Sequence, residues 1–144
     1  MTQVDFYVIE NQSPKSRETL ACRIAEKAWN KGKRVFIHTR DRAQAEQVDA
    51  LLWTFRQGSF LPHELVDSQD IDLQTPIHIG FGQEPDVDCQ VLINLHDEVP
   101  AFFSRFERVA EVINDDANIK QQARVRYQFY RDRGYQLDTH KLKH

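Results

Sequence analysis

The clearest candidates for chemistry are cationic and aromatic side chains near the C-terminus. They fall at positions i, i+4, i+7 and i+11: Lys120, Arg124, Tyr127 and Arg131. On an α-helix this spacing places all four on one stripe. Because guanidinium groups bind carboxylates bidentately, the stripe could bind an acidic peptide with an apolar anchor or a terminal carboxylate. It could equally bind a phosphate backbone with the tyrosine stacked on a base, or be an ordinary solvated helix face. The residues alone leave these three interpretations open.

A second candidate is a cluster of large apolar residues in the middle of the chain. Its members lie at the end of one predicted helix and in the segment after it: Trp53, Phe55, Phe60, Leu61 and Pro62. Clustered aromatic side chains at a surface are typical of partner-binding sites, where tryptophan contributes most per residue. The alternative is that the segment folds back and buries these residues in the core.

Nucleotide chemistry is disfavoured because no phosphate-binding loop can be found. Such a loop needs glycines directly after a strand, so that backbone N–H groups can approach phosphate. Residues 10–14 follow the first predicted strand and residues 39–41 follow the second, and neither segment contains glycine. Gly80 and Gly82 form a close pair, but no helix follows them.

Metal and disulfide chemistry are disfavoured as well. The six histidines show no HxxxH or HExxH spacing on a predicted helix, so packed or terminal histidines are expected. Cys22 and Cys89 lie far apart with no CxxC motif and read as small buried apolar residues. We expect neither a metal nor a cofactor.

Charge is unevenly distributed along the chain. The net charge is −3, with 40 % hydrophobic and 28 % charged residues, an ordinary globular balance. Residues 1–116 contain 12 basic and 20 acidic residues, a net of −8, whereas residues 117–144 contain 7 and 2, a net of +5. The basic C-terminal element suggests an anionic partner there. No apolar stretch approaches the ~20 residues needed to cross a bilayer and no signal peptide is apparent, so we expect a cytoplasmic protein.

Alternating strands and helices predict one α/β domain over residues 1–144. Strands are predicted at 4–9, 34–39, 76–81 and 90–95. Four helices are predicted: from Ser13-Pro14 to Gly32, after Asp41 to Phe55, from Pro100 to Ile113, and from Asp116 to Arg133. Residues 56–75 are predicted to form a long surface connection, and residues 82–88 a polar loop. This order favours a largely parallel sheet with helices on both faces, a three-layer architecture.

Several segments together resemble the chi-subunit family of bacterial DNA polymerase III. The similarity spans nearly the whole chain and is carried by Phe6-Tyr7, Gly32-Lys33-Arg34-Val35, Leu52-Trp53, Ser59-Phe60-Leu61-Pro62-His63 and Lys120-Gln121-Gln122-Ala123-Arg124-Val125-Arg126-Tyr127. The last two segments together are specific for this family, whereas either one alone would be weak evidence. The sequence departs from the family pattern at residues 113–116, where Asp115 and Asp116 add negative charge beside the basic stripe.

The resemblance implies a Rossmann-like domain without nucleotide chemistry that acts as a non-catalytic adaptor in DNA replication. It implies two partners, the psi subunit of the clamp loader and the acidic C-terminal tail of single-stranded DNA-binding protein, and it places an accessory helicase on the psi-binding surface. The psi-binding residues would be Trp53, Phe60, Leu61 and Pro62. The tail-binding residues would be Lys120, Arg124, Tyr127, Arg131 and, lining a pocket, Ile113. The rival interpretations are a degenerate nucleotide-binding domain and a direct single-stranded DNA binder. Under the adaptor interpretation we expect neither direct nucleic-acid binding nor membrane binding.

Overall fold

The computed structural model of the protein describes residues 1–11, 13–58, 60–66, 72–86 and 88–143. These residues form seven strands, three α-helices and one short 3₁₀ helix. In chain order they are β1 Gln3–Glu10, α1 Ser16–Asn30, β2 Val35–Thr39, α2 Arg42–Thr54, β3 His63–Leu65, β4 Ile77–Phe81, β5 Val91–Asn94, the 3₁₀ helix Phe103–Arg105, β6 Arg108–Ile113, α3 Ala117–Asp132 and β7 Gln136–Lys143. No helix among the described residues has the length and apolar character needed to span a membrane.

The strands form a single parallel sheet in the order β3-β4-β2-β5-β6-β1-β7. Alternate strand residues pack into two separate core clusters, because successive side chains point to opposite faces of a sheet. One cluster includes apolar residues of α1 and α2, and we call that side the α1 face. The other includes Ala123 and Tyr130 of α3, and we call that side the α3 face. The predicted three-layer α/β fold is therefore confirmed.

Local signals in the sequence explain where the helices begin and end. The Asp41 side chain caps α2 by accepting a hydrogen bond from the Gln44 backbone N–H (2.9 Å). Asp116 caps α3 by accepting from the N–H groups of Asn118 and Ile119. Gly32 follows α1 with φ +78°, a left-handed conformation that glycine adopts without steric cost. The predicted ends of these three helices are confirmed to within a few residues.

The predicted helix from Pro100 to Ile113 is wrong. Residues 103–105 form the 3₁₀ helix, and residues 108–113 form β6, which pairs with β5 on one side and β1 on the other. Apolar residues at 109, 112 and 113 match helical spacing, but a strand buried on both faces is also continuously apolar. Pairing with two neighbouring strands, which is a tertiary effect, decides between the two.

The two edge strands were not predicted. β3 lies within the predicted surface connection, of which residues 67–71 fall outside the described residues, and it pairs with β4 over three residues. β7 pairs with β1 over eight residues, although most of its side chains are exposed and polar. Edge strands bury little apolar surface, so the hydrophobic pattern that predicts central strands is weak in them.

Candidate partner-binding sites

The carboxyl ends of β1 and β6 lie side by side in the sheet. β1 leads into α1 on one face and the adjacent β6 leads towards α3 on the other. Here the backbone N–H of Asp115 donates to the carbonyl of Asn11 (3.0 Å). The amide of Asn114 donates to Ser16 Oγ (3.2 Å). Hydrogen bonds therefore join the segments that follow β1 and β6.

Arg17 fills the neighbouring part of this edge. Its guanidinium group is buried and donates to the carbonyls of Val112 (2.9 Å) and Leu95 (3.3 Å), which stand at the ends of β6 and β5. Burial lowers the pKa of Arg17, and the Glu18 carboxylate partly opposes that shift. Arg17 thus donates to backbone carbonyl groups of the protein itself.

Helix α3 is anchored by a buried ionic network on its inner side. Arg126 is 3 % exposed and donates from Nε to Glu111 Oε1 (2.9 Å), and the Tyr130 hydroxyl donates to Glu111 Oε2 (2.7 Å). Asn94 also donates to Glu111 Oε2 (3.0 Å). Burial, together with the Glu111 charge, raises the pKa of Tyr130. Arg126 counts toward the basic C-terminal element of the sequence. Its positive charge is nevertheless neutralised inside the protein by Glu111.

The outer side of α3 carries the predicted basic stripe. Arg124 and Arg131 are exposed, and their guanidinium groups contact neutral amides, Gln121 (3.4 Å) and Gln128 (3.3 Å) respectively. Within the part of the chain that the structure describes, neither arginine is paired with a carboxylate.

Lys120, Tyr127 and Ile113 complete the predicted tail-binding set, and each has a contact that the sequence left undetermined. Lys120 Nζ lies 2.6 Å from Asp115 Oδ1, so part of its charge is neutralised by a local carboxylate. The Tyr127 ring is half-buried and meets Phe6 edge-on with centroids 5.1 Å apart. Ile113 is 3 % exposed and packs in the α3-face core cluster, beneath the helix rather than beside the stripe.

An aromatic patch lies at the end of α2, beside edge strand β3. Trp53 is 52 % exposed and Phe60 is 66 % exposed, and their ring centroids are 5.4 Å apart. The His63 ring lies 4.6 Å from Trp53, and its Nε2 is 3.3 Å from Asp49 Oδ1. We use the name aromatic patch for Trp53 and Phe60, because the His63 side chain is buried. Large apolar rings in contact with one another at a surface are typical of partner-binding sites.

The residues that follow Phe60 have different roles. Leu61 is 1 % exposed and belongs to the α1-face core, where it fixes the segment that carries the exposed rings. Pro62 is half-buried, and Phe55 packs against the same core. Ser59, which precedes Phe60 in the family-like segment, lies outside the described residues. The cluster is therefore partly at the surface and partly in the core. Trp53 and Phe60 are exposed to solvent, whereas Leu61 is buried.

One pair of stacked histidines and both cysteines pack within the fold. His38 stacks on His96 with centroids 5.3 Å apart, and burial lowers the pKa of His38 to about 4. Cys22 and Cys89 are buried free thiols. Among the described residues, no three His, Cys, Asp or Glu side chains are grouped so that they could hold a metal ion.

The sequence did not identify the Glu111–Arg126–Tyr130 network, although a signal was present. Ala123, Arg126 and Tyr130 follow one another at i, i+3 and i+7, the spacing of the core-facing side of α3. A charged residue at a core position requires a buried counter-charge. Glu111 within an apolar strand was the available partner.

The fold is that of a Rossmann-like α/β protein, and the sequence has no glycine-rich phosphate-binding loop after β1 or β2. A family model described as "DNA polymerase III chi subunit, HolC" matches residues 1–138. The chain belongs to the DNA polymerase III chi-subunit family, so it is an accessory component of the replicative holoenzyme.

Three relatives support this assignment over nearly their whole lengths. The DNA polymerase III subunit chi of Pseudomonas aeruginosa is 44 % identical over 142 residues, covering 99 % of this chain and 98 % of that protein. The Haemophilus influenzae subunit chi is 33 % identical and covers 93 % of each chain. The Escherichia coli subunit chi is 32 % identical over 96 % of this chain and 97 % of its own.

Proposed function

We propose that the protein is a non-catalytic adaptor that joins the clamp loader to coated single-stranded DNA. In this role the aromatic patch binds the psi subunit, and the outer stripe of α3 binds the acidic C-terminal tail of single-stranded DNA-binding protein. The observation that carries the proposal is that Arg124 and Arg131 face solvent on one side of α3 and form no ion pair with any carboxylate among the described residues.

The stripe matches an acidic chain end in both charge and shape. Arg124 would bind the terminal carboxylate bidentately, which is a stronger contact than a neutral hydrogen bond. The half-buried ring of Tyr127 would pack against the apolar last residue of the tail. Lys120 would contribute once its ammonium group is shared between Asp115 and the incoming peptide.

The aromatic patch matches an apolar partner segment. Trp53 and Phe60 together present two large rings beside an edge strand, and Leu61 anchors their connecting segment in the core. A partner that buries both rings gains hydrophobic free energy without first ordering the site.

The two sites lie on different faces of the sheet, so both partners can bind together. The tail site needs only modest affinity, because many tails on one coated strand multiply the apparent binding strength. Opposite charges on tail and stripe would make association fast and sensitive to salt.

Isothermal titration with a tail peptide, with and without its last residue, tests the first half of the proposal. The full peptide should bind with a stoichiometry of one, and the shortened peptide should bind at least about tenfold more weakly, equivalent to 1.4 kcal/mol. Arg124→Ala should abolish the difference between the two peptides. Arg40→Ala, which removes an exposed arginine far from α3, is the matched control and should leave both affinities unchanged. Equal binding of both peptides would refute this site.

Co-purification with the psi subunit tests the second half. Trp53→Ala and Phe60→Ala should each release psi while the tail peptide still binds. Val125→Ala removes another exposed apolar side chain, 64 % exposed on α3, and should retain psi. Retention of psi by both patch variants would show that its binding surface lies elsewhere.

A further inference from the structure

One part of the sheet has no helix over it on the α1 face. Helix α1 packs against β2, β5 and β6, and α2 packs against β2, β3 and β4. A groove of about 900 Å³ therefore remains between the flank of α1 and the strands β6, β1 and β7. It lies on the opposite face from the α3 stripe, and the aromatic patch is not among its lining residues.

The α1 wall of this groove is strongly basic. Every fourth residue along the helix forms one ridge: Lys15, Thr19, Arg23, Lys27 and Lys31. The first three line a small cavity that leads into the groove, and the last three line the groove itself. The ridge is about 24 Å long, at 1.5 Å per residue. Within the described part of the chain none of its four cations forms an ion pair.

The floor of the groove, which consists of its lining residues outside the ridge, is partly apolar. Ile24 and Leu142 are partly exposed, Leu20 and Ala110 are buried, and Gln3 and Gln90 are polar. The buried Asp5 carboxylate is compensated by Arg108, whose Nη2 lies 2.8 Å from Oδ2.

The other carboxylates that line the groove also face cations. Glu107 lies 3.6 Å from Lys33, and Glu26 lies 3.1 Å from Arg56. The basic ridge therefore leaves the groove with a positive excess, although the whole chain has a net charge of −3. A ligand that complements this groove must be both negatively charged and apolar along one side.

We propose that the groove binds an acidic amphipathic segment of a partner protein. Its apolar side chains would lie on the floor, and its carboxylates would pair with Arg23, Lys27 and Lys31. A nucleic acid fits less well, because stacking on a base needs a free aromatic face. The aromatic ring in the floor, Tyr7, is already stacked on His140 with centroids 4.8 Å apart.

The test uses fluorescence anisotropy with the full-length protein and a labelled synthetic peptide that repeats Leu and Glu at helical spacing. The double substitution Lys27→Glu with Lys31→Glu should weaken binding at least about tenfold. The control, Lys141→Glu with Lys143→Glu, changes the net charge equally on the other face of β7 and should change affinity less than twofold. Leu142→Glu should weaken binding without altering the ridge. Circular dichroism verifies that each variant is folded.

Three results would overturn the proposal. The first is an absence of saturable binding at protein concentrations up to about 1 mM. The second is an equal loss of affinity in the ridge and control variants, which would indicate nonspecific charge attraction. The third is tight binding of a dT oligonucleotide that the ridge substitutions abolish, which would assign the groove to nucleic acid. Arg124→Ala should leave the synthetic peptide bound, so a failure of the α3 site and a failure of the groove are distinguishable.

Discussion

Arg124 and Arg126 are the same residue type, two positions apart on one helix, and they have opposite roles. A separation of two residues rotates the side chain by about 200°, so that one arginine faces solvent and the other faces the core. Arg124 contacts a neutral amide at 3.4 Å, whereas Arg126 contacts the Glu111 carboxylate at 2.9 Å. The comparison shows that a count of basic residues does not measure the charge available to a partner.

The same contrast applies to Phe60 and Leu61 in the other site. These neighbours are 66 % and 1 % exposed, so one is available to a partner and the other holds the segment in place. In both regions an exposed residue lies within two positions of a buried anchoring residue. Substitutions at the exposed positions should therefore affect binding, and those at the buried positions should affect stability.

The largest expected effect is on stability at the buried arginine. Arg126→Ala should lower the free energy of unfolding by about 3–5 kcal/mol, because it leaves the Glu111 charge buried without its partner. Arg124→Ala should change it by less than about 0.5 kcal/mol. Urea denaturation followed by circular dichroism measures both values. Similar stability losses in the two variants would remove the distinction between inner and outer arginine.

The reverse order is expected for binding. Arg124→Ala should weaken binding of the tail peptide by about 2 kcal/mol or more, since the carboxylate loses its bidentate partner. Gln122→Ala, an exposed position on the same helix but without a charge, should leave the titration curve unchanged. An unaltered affinity in Arg124→Ala would mean that the tail binds at another surface.

Substitutions at the two tyrosines of α3 test the same contrast between the inner and the outer side of the helix, with smaller expected effects. Tyr130→Phe removes the hydroxyl that donates to Glu111 at 2.7 Å and should cost about 1–3 kcal/mol of stability. Tyr127 is half-buried, and its hydroxyl makes no hydrogen bond within the described part of the chain. Tyr127→Phe should therefore leave thermal unfolding nearly unchanged. A larger loss in Tyr127→Phe than in Tyr130→Phe would contradict the assignment of inner and outer sides.

The smallest effect concerns the carboxylate beside the stripe. Asp115→Asn removes the ion pair to Lys120 and should increase affinity for the tail peptide by about 0.2–1 kcal/mol. The gain should shrink at high salt, because exposed charges are screened. Asp132→Asn, at the far end of α3, serves as the control in the same titration series. Weaker binding in Asp115→Asn would show that Asp115 supports the site.

The sequence by itself determined the features that depend on local pattern. Capping residues and apolar periodicity located α1, α2 and α3, and the i, i+4, i+7 and i+11 spacing located the stripe that α3 presents to solvent. The apolar runs of β1, β2, β4 and β5 predicted those strands, because strands buried on both faces need apolar residues throughout.

Only the tertiary structure decided the features that depend on residues distant in sequence. β6 is a strand because β5 and β1 pair with it on either side, although its apolar spacing also suits a helix. The charge of Arg126 is not available to a partner, because the side chain is paired with Glu111, fifteen positions earlier in the sequence. Leu61 is buried and Phe60 is exposed because of what packs around them. Burial and ion pairing result from contacts between separate elements, and a local pattern of residue types does not specify those contacts.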